Sequence, residues 1–78
     1  MTSPEPDLRV EVVDDEIIVS LPTSYYSVTY YKPKNSPQLL AKRISDKDDP
    51  RLTMTGAEFL VKAWRLANDK ARELGWIV

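Results

Sequence analysis

Between Leu8 and Leu21 apolar and polar side chains alternate in two short runs separated by Asp14-Asp15. With that pair as a two-residue loop, Val12 falls opposite Ile17, Val10 opposite Val19 and Leu8 opposite Leu21, a β-hairpin with one wholly aliphatic face. The other face receives Arg9, Glu11 and Val13 with Glu16, Ile18 and Ser20, a mostly polar set. A slip of one residue would bury the charges, so the alternation itself specifies the register. Asp-Asp is a weaker turn signal than Asn-Gly, because positive φ suits glycine better than aspartate.

After Pro22 the run Tyr25-Tyr26-Ser27-Val28-Thr29-Tyr30-Tyr31, rich in aromatic and β-branched residues, predicts a third strand. Its more apolar side, Tyr26, Val28 and Tyr30, is assigned to the core, leaving Tyr25, Ser27, Thr29 and Tyr31 on the other. Lys32-Pro33-Lys34-Asn35 reads as a loop. Residues 36–45 are ambiguous. Ser36 as N-cap, Pro37 at the first helical position and Leu40 with Ile44 on one face favour a short helix; a fourth strand is the alternative, although neither of its faces alternates cleanly.

The clearest helix follows the polar connector Asp46 to Pro50. Thr55 and Glu58 are spaced as a capping box, with Met54 and Phe59 at the positions of a hydrophobic staple. Leu60, Ala63, Trp64, Ala67, Ala71 and Leu74 recur at three- and four-residue spacing, forming an inward stripe with Phe59 and Leu66 on its flank and Trp64 in the core. Gly75 suits the left-handed position that ends a helix, and Trp76, Ile77 and Val78 are expected to fold back on the protein.

These elements predict a small two-layer α+β domain: a three-stranded antiparallel sheet, with room for a fourth strand, covered on one face by a C-terminal amphipathic helix. Residues 8–78 make the single domain and residues 1–7 a flexible tail. The expected core is Leu8, Val10, Val12, Ile17, Val19, Leu21, Val28, Leu60, Ala63, Ala67 and Leu74. A chain of 78 residues has room for one core only. It buries roughly 60% of its unfolded surface, which makes self-association a natural source of extra stability. An apolar fraction of 42% and a charged fraction of 29% are those of an ordinary folded protein.

Composition narrows the chemistry further. The absence of cysteine removes disulfides, thiolate metal sites and thiol nucleophiles, and the absence of histidine removes the side chain best suited to proton transfer near neutral pH. Two glycines, Gly56 and Gly75, cannot write a phosphate-binding or dinucleotide-binding loop. Asp46, Asp48 and Asp49 resemble the start of a calcium loop, but Arg51 then falls at its glycine position and Ala57 at its bidentate glutamate. Asp14, Asp15 and Glu16 are expected to be hydrated, not metal-bound. Acid–base catalysis by Asp, Glu, Lys or Tyr would need a pocket on the order of 300 Å³, hard to hollow from so small a core. The expectation is therefore no enzyme, no cofactor and no metal. Residues 1–7, with Pro4, Pro6, Glu5 and Asp7, do not read as a secretory signal, and no apolar run approaches the length of about 18 residues that spans a membrane. A cytoplasmic setting is expected.

The net charge of −1 conceals an uneven distribution. Residues 1–20 carry Glu5, Asp7, Glu11, Asp14, Asp15 and Glu16 against Arg9, whereas residues 21–47 carry Lys32, Lys34, Lys42, Arg43 and Lys47 against Asp46. Solubility alone accounts for such charges in most proteins. The tyrosines followed by Lys32 and Lys34 are more distinctive. Packing against the helix is the plainest use of strand tyrosines; protein contact is the next, and stacking on unpaired bases with lysines on phosphates is the rival. The sheet face opposite the helix, with Ile18, Tyr25 and Tyr31 bordered by Lys32 and Lys34, is the expected contact surface. Its partner is expected to be a protein or a second copy of the chain, and single-stranded nucleic acid is the alternative.

Overall fold

In a computed structural model that describes residues 8–22, 24–44, 50 and 54–77, the first hairpin forms in the register its alternation requires. Strands β1 (Arg9–Val13) and β2 (Glu16–Ser20) pair antiparallel with Val10 opposite Val19 and Val12 opposite Ile17. Asp14 takes the left-handed conformation at φ 55°, which aspartate tolerates better than most side chains. The expected tail, residues 1–7, lies outside the described residues, as do residues 46–49 of the connector.

Strand β3 (Ser27–Tyr31) adds to β2, with Val28 opposite Val19 and Tyr30 opposite Ile17. Tyr26, Val28 and Tyr30 are buried, as their alternation demands. The link from β2 is a tight loop. Leu21 N–H donates to Tyr26 O (3.0 Å), and the Ser24 hydroxyl both donates to Leu21 O (2.7 Å) and accepts from Tyr26 N–H (3.0 Å).

Residues 36–45 do not form the favoured short helix. Leu40–Ile44 is a fourth strand, β4, antiparallel to β3, and completes a sheet of order β1-β2-β3-β4. Ser36 does accept a hydrogen bond from Gln38 N–H (3.2 Å), a cap-like contact, but the chain then turns to bury Leu39. Pairing with β3 gives partners to backbone groups along that strand's outer side, which a helix at this place would leave open. The blurred alternation has a physical cause: Thr29 pairs with Arg43 and Tyr30 with Ala41, so Lys42 is an extra residue, a β-bulge that resets the faces.

Helix α1 (Gly56–Leu74) crosses β2 and β3 on one face of the sheet. Its capping box is formed: Thr55 Oγ1 accepts from Glu58 N–H (3.1 Å) and Glu58 Oε1 accepts from Thr55 N–H (3.3 Å). Met54 and Phe59, the expected staple pair, are both in the core. At the other end Gly75 adopts φ 80°, Trp76 N–H donates to Ala71 O (2.8 Å) and Gly75 N–H to Arg72 O (3.1 Å), the two bonds of a Schellman motif. Trp76 and Ile77 pack back on the core, while Val78 lies outside the described residues.

The buried stripe of the helix is Phe59, Ala63, Ala67 and Ala71, at four-residue spacing. It is rotated from the expected one. Phe59, expected on the flank, is fully buried, whereas Leu74 and Trp64, expected inside, are 41% and 42% exposed. Three alanines let the helix backbone approach the sheet, and the large side chains of Tyr26, Phe59 and Leu39 fill the space around them. Trp64 instead leans on the flank against Tyr30, with ring centroids 5.5 Å apart. Val12, also expected in the core, is exposed because it lies on the edge strand beyond the helix, while Leu8, Val10 and Leu60 are partly buried against the core. The Tyr26 hydroxyl donates to Met54 O (2.7 Å) and its ring stacks on Phe59 at 5.2 Å, tying the start of the helix to the start of β3.

Candidate functional site

The strand registers define what the face opposite the helix presents. Val13, Glu16, Tyr31 and Leu40 are successive cross-strand partners from β1 to β4, so they form one row across the sheet beside the hairpin turn. At a strand spacing of about 4.8 Å that row spans about 14 Å. The next row is Glu11, Ile18, Thr29 and Arg43, which places Ile18 diagonally beside Tyr31. Val13 and Leu40, each 46% exposed, flank half-buried Tyr31 and Ile18.

The bulge arms this surface with a charge pair. Lys42, displaced from the regular ladder, reaches across β3 to Glu16 on β2, with Nζ to Oε2 at 2.5 Å. Asp15, Glu16, Tyr31, Ala41 and Lys42 line an open depression of about 510 Å³ there. It is a shallow dish, acidic at the hairpin side and basic at the β4 side, with a phenol ring between. A second depression, of about 380 Å³, lies on the helix side among Pro37, Gln38, Trp64, Asn68, Arg72 and Ile77. Trp64 and Ile77 give it apolar wall, and Arg72, paired with Asp69 (3.3 Å), gives it charge.

The expected contact residues do not all meet. Ile18 and Tyr31 are neighbours on the open face, and Lys32 and Lys34 follow Tyr31 in the β3–β4 connection. Lys32 turns its ammonium toward the carbonyl of Pro33 (3.4 Å), whereas Lys34 is exposed. Tyr25, 64% exposed, belongs to the β2–β3 loop at the other end of β3, roughly 20 Å from Tyr31 at the rise of an extended strand. Val13, Leu40 and the Glu16–Lys42 pair join the patch without having been singled out from sequence. Tracing the strand alternative for 36–45 through its pairing with β3 would have found Leu40; the bulge that delivers Lys42 has no local signature.

One aromatic group is electrostatically marked. Burial pushes the Tyr30 phenol above its ordinary value, because the phenolate would lose its hydration under the helix. Tyr30 lies on the covered face, away from the open dish. Among the described residues no three acidic side chains are grouped to hold a metal ion, and no helix is long and apolar enough to cross a membrane. Comparison of the chain with protein-family models, with curated proteins and with solved structures finds no match.

Proposed function

We propose that this chain is a small non-enzymatic protein-interaction domain that meets a protein partner through the open face of its sheet. The reading rests on one observation: the row Val13–Glu16–Tyr31–Leu40, with Ile18 beside it, puts apolar and aromatic surface around the Glu16–Lys42 charge pair on a face that the helix leaves uncovered. Such a mixture suits association between proteins, where a ring with a hydroxyl tolerates a partly wet contact and a polar pair fixes orientation. The dish is too open to enclose a small substrate, which favours a binding surface over a reaction site.

Single-stranded nucleic acid is the rival, favoured by Lys32 and Lys34 next to Tyr31. Lys42 counts against it, since its charge is already met by Glu16. A photo-crosslinking side chain placed at Leu40 and, separately, at Val61 on the outer side of the helix tests the reading in cells. Protein crosslinks from position 40, absent from position 61 and lost on adding Tyr31→Ser, are the expected result. Equal yields from both positions would contradict it, and oligonucleotide binding by the purified chain that falls steeply with salt would favour the rival.

A further inference from the structure

We infer that β1 is a docking edge for β1 of a second copy of this chain, the two strands pairing antiparallel about a twofold axis through Val10. This inference stands apart from the open-face reading, because it concerns the edge of the sheet and its occupant is the chain itself.

Among the described residues the sheet has two edges, and they differ. Strand β4 carries a bulge at Lys42 with Arg43 beside it, and irregularity plus positive charge are the features by which proteins discourage pairing at an edge. Strand β1 has no bulge, and its one cation, Arg9, is matched by Glu11 on the same face. Its register with β2 is unbroken over all five residues, with no proline and no lysine, and four of the five are exposed.

The hairpin also dictates where the backbone of β1 points. In a two-residue hairpin the pair next to the loop, Val13 and Glu16, is hydrogen-bonded, and bonded pairs then alternate through Glu11–Ile18 and Arg9–Ser20. The N–H and C=O groups of Leu8, Val10 and Val12 consequently point away from β2, toward the open edge. A second β1 centred on Val10 uses all three. Val10 N–H of each copy donates to Val10 O of the other, and Val12 of each meets Leu8 of the other.

The same register satisfies the side chains. Arg9 falls opposite Glu11 of the second copy and Glu11 opposite its Arg9, at the non-hydrogen-bonded positions where side chains come closest. Within one copy Arg9 and Glu11 are exposed and only 3.8 Å apart, so pairing joins them into an alternating cluster of four charges. On the other face Leu8, Val10 and Val12 extend the aliphatic layer across the junction, covering Val12 where the helix does not. The neighbouring register, centred on Glu11, sets two glutamates opposite each other and is disfavoured. Pairing at β1 creates one continuous eight-stranded sheet from two four-stranded ones, with both open faces on the same side.

Sedimentation of the full chain over a concentration series up to about 1 mM tests this. The wild type is expected to dimerise. Arg9→Glu and Glu11→Arg should each weaken the dimer about tenfold or more, since each turns two attractive cross-strand pairs repulsive. An equimolar mixture of the two variants, and the double variant carrying both substitutions, should each recover it. In hydrogen exchange the amides of Val10 and Val12 should slow as concentration rises. A wild type that stays monomeric, single variants that dimerise normally, or a mixture that does not recover would overturn the inference, as would fast Val10 and Val12 amides in a dimer. Tyr31→Ser should leave the dimer unchanged; if it alone abolishes self-association, copies meet through the open face and not through β1.

Discussion

The two faces of the β2–β3 pair are made by alternate residues of the same two strands, yet they have opposite fates. Ile17, Val19, Val28 and Tyr30, on the helix side, are at most 3% exposed. Ile18, Thr29 and Tyr31, one position along, are only half-buried, by their own strand neighbours. Intrinsic strand preference hardly separates Ile17 from Ile18 or Tyr30 from Tyr31. What separates them is a helix of 19 residues whose alanines lie on one side of the sheet and not the other. The covered face is where substitution costs stability; the open face is where it should cost association.

The sharpest way to break that contrast is to place the same charge on both faces. Val19→Asp puts an unpaired carboxylate under the helix and should abolish the cooperative melt, whereas Ile18→Asp should melt within about 1 kcal/mol of wild type. A native-like melt for Val19→Asp would mean the faces are assigned the wrong way round. Tyr26→Phe comes next: it leaves the buried carbonyl of Met54 without its donor and should cost about 1–2 kcal/mol in denaturant titration. Thr55→Ala removes the oxygen that caps the covering helix and should cost about 1 kcal/mol by the same measurement.

Alkaline pH probes the covered face without mutation. The folded-state pKa of Tyr30 is raised above its unfolded value, so its contribution is fully present below about pH 10 and is lost as pH rises through the folded value. Stability should therefore fall above about pH 10, and Tyr30→Phe should flatten that limb. The smallest effect belongs to the open face. Lys42→Ala removes a partly exposed ion pair and should change stability by about 1 kcal/mol or less, with added salt narrowing the difference.

The hairpin, β3 and both ends of the helix were legible in the sequence because each is written locally: in alternation around Asp14-Asp15, in the spacing of Thr55 and Glu58, and in Gly75. Strand β4 was not. Its side-chain pattern is broken by the bulge at Lys42, and what makes it a strand is the open edge of β3, a requirement no local window contains. The rotation of the helix stripe has a similar origin. Leu60, Ala63, Trp64 and Ala67 form a plausible face on apolarity alone, but steric fit against the sheet selects the smaller alanines and turns Trp64 onto the rim. Tyr25 was placed on the open face by extending the alternation of β3 backwards, past the point where Leu21 and Tyr26 close the loop. Tyr31 and Ile18 lie inside regular strands, where alternation fixes their face, and the cross-sheet row that joins them to Val13 and Leu40 is visible only in the registers.

Side-chain oxidative footprinting, performed on the dilute purified chain and inside cells, tests the open face most directly because it needs no knowledge of the partner. Tyr31 and Leu40 should be reactive in the purified chain and protected in cells, while Val61, the exposed valine on the helix, should react equally in both. Equal reactivity of Tyr31 and Leu40 in the two settings, or protection confined to Val61 and Trp64, would contradict the account and move the contact surface to the helix side or off the molecule.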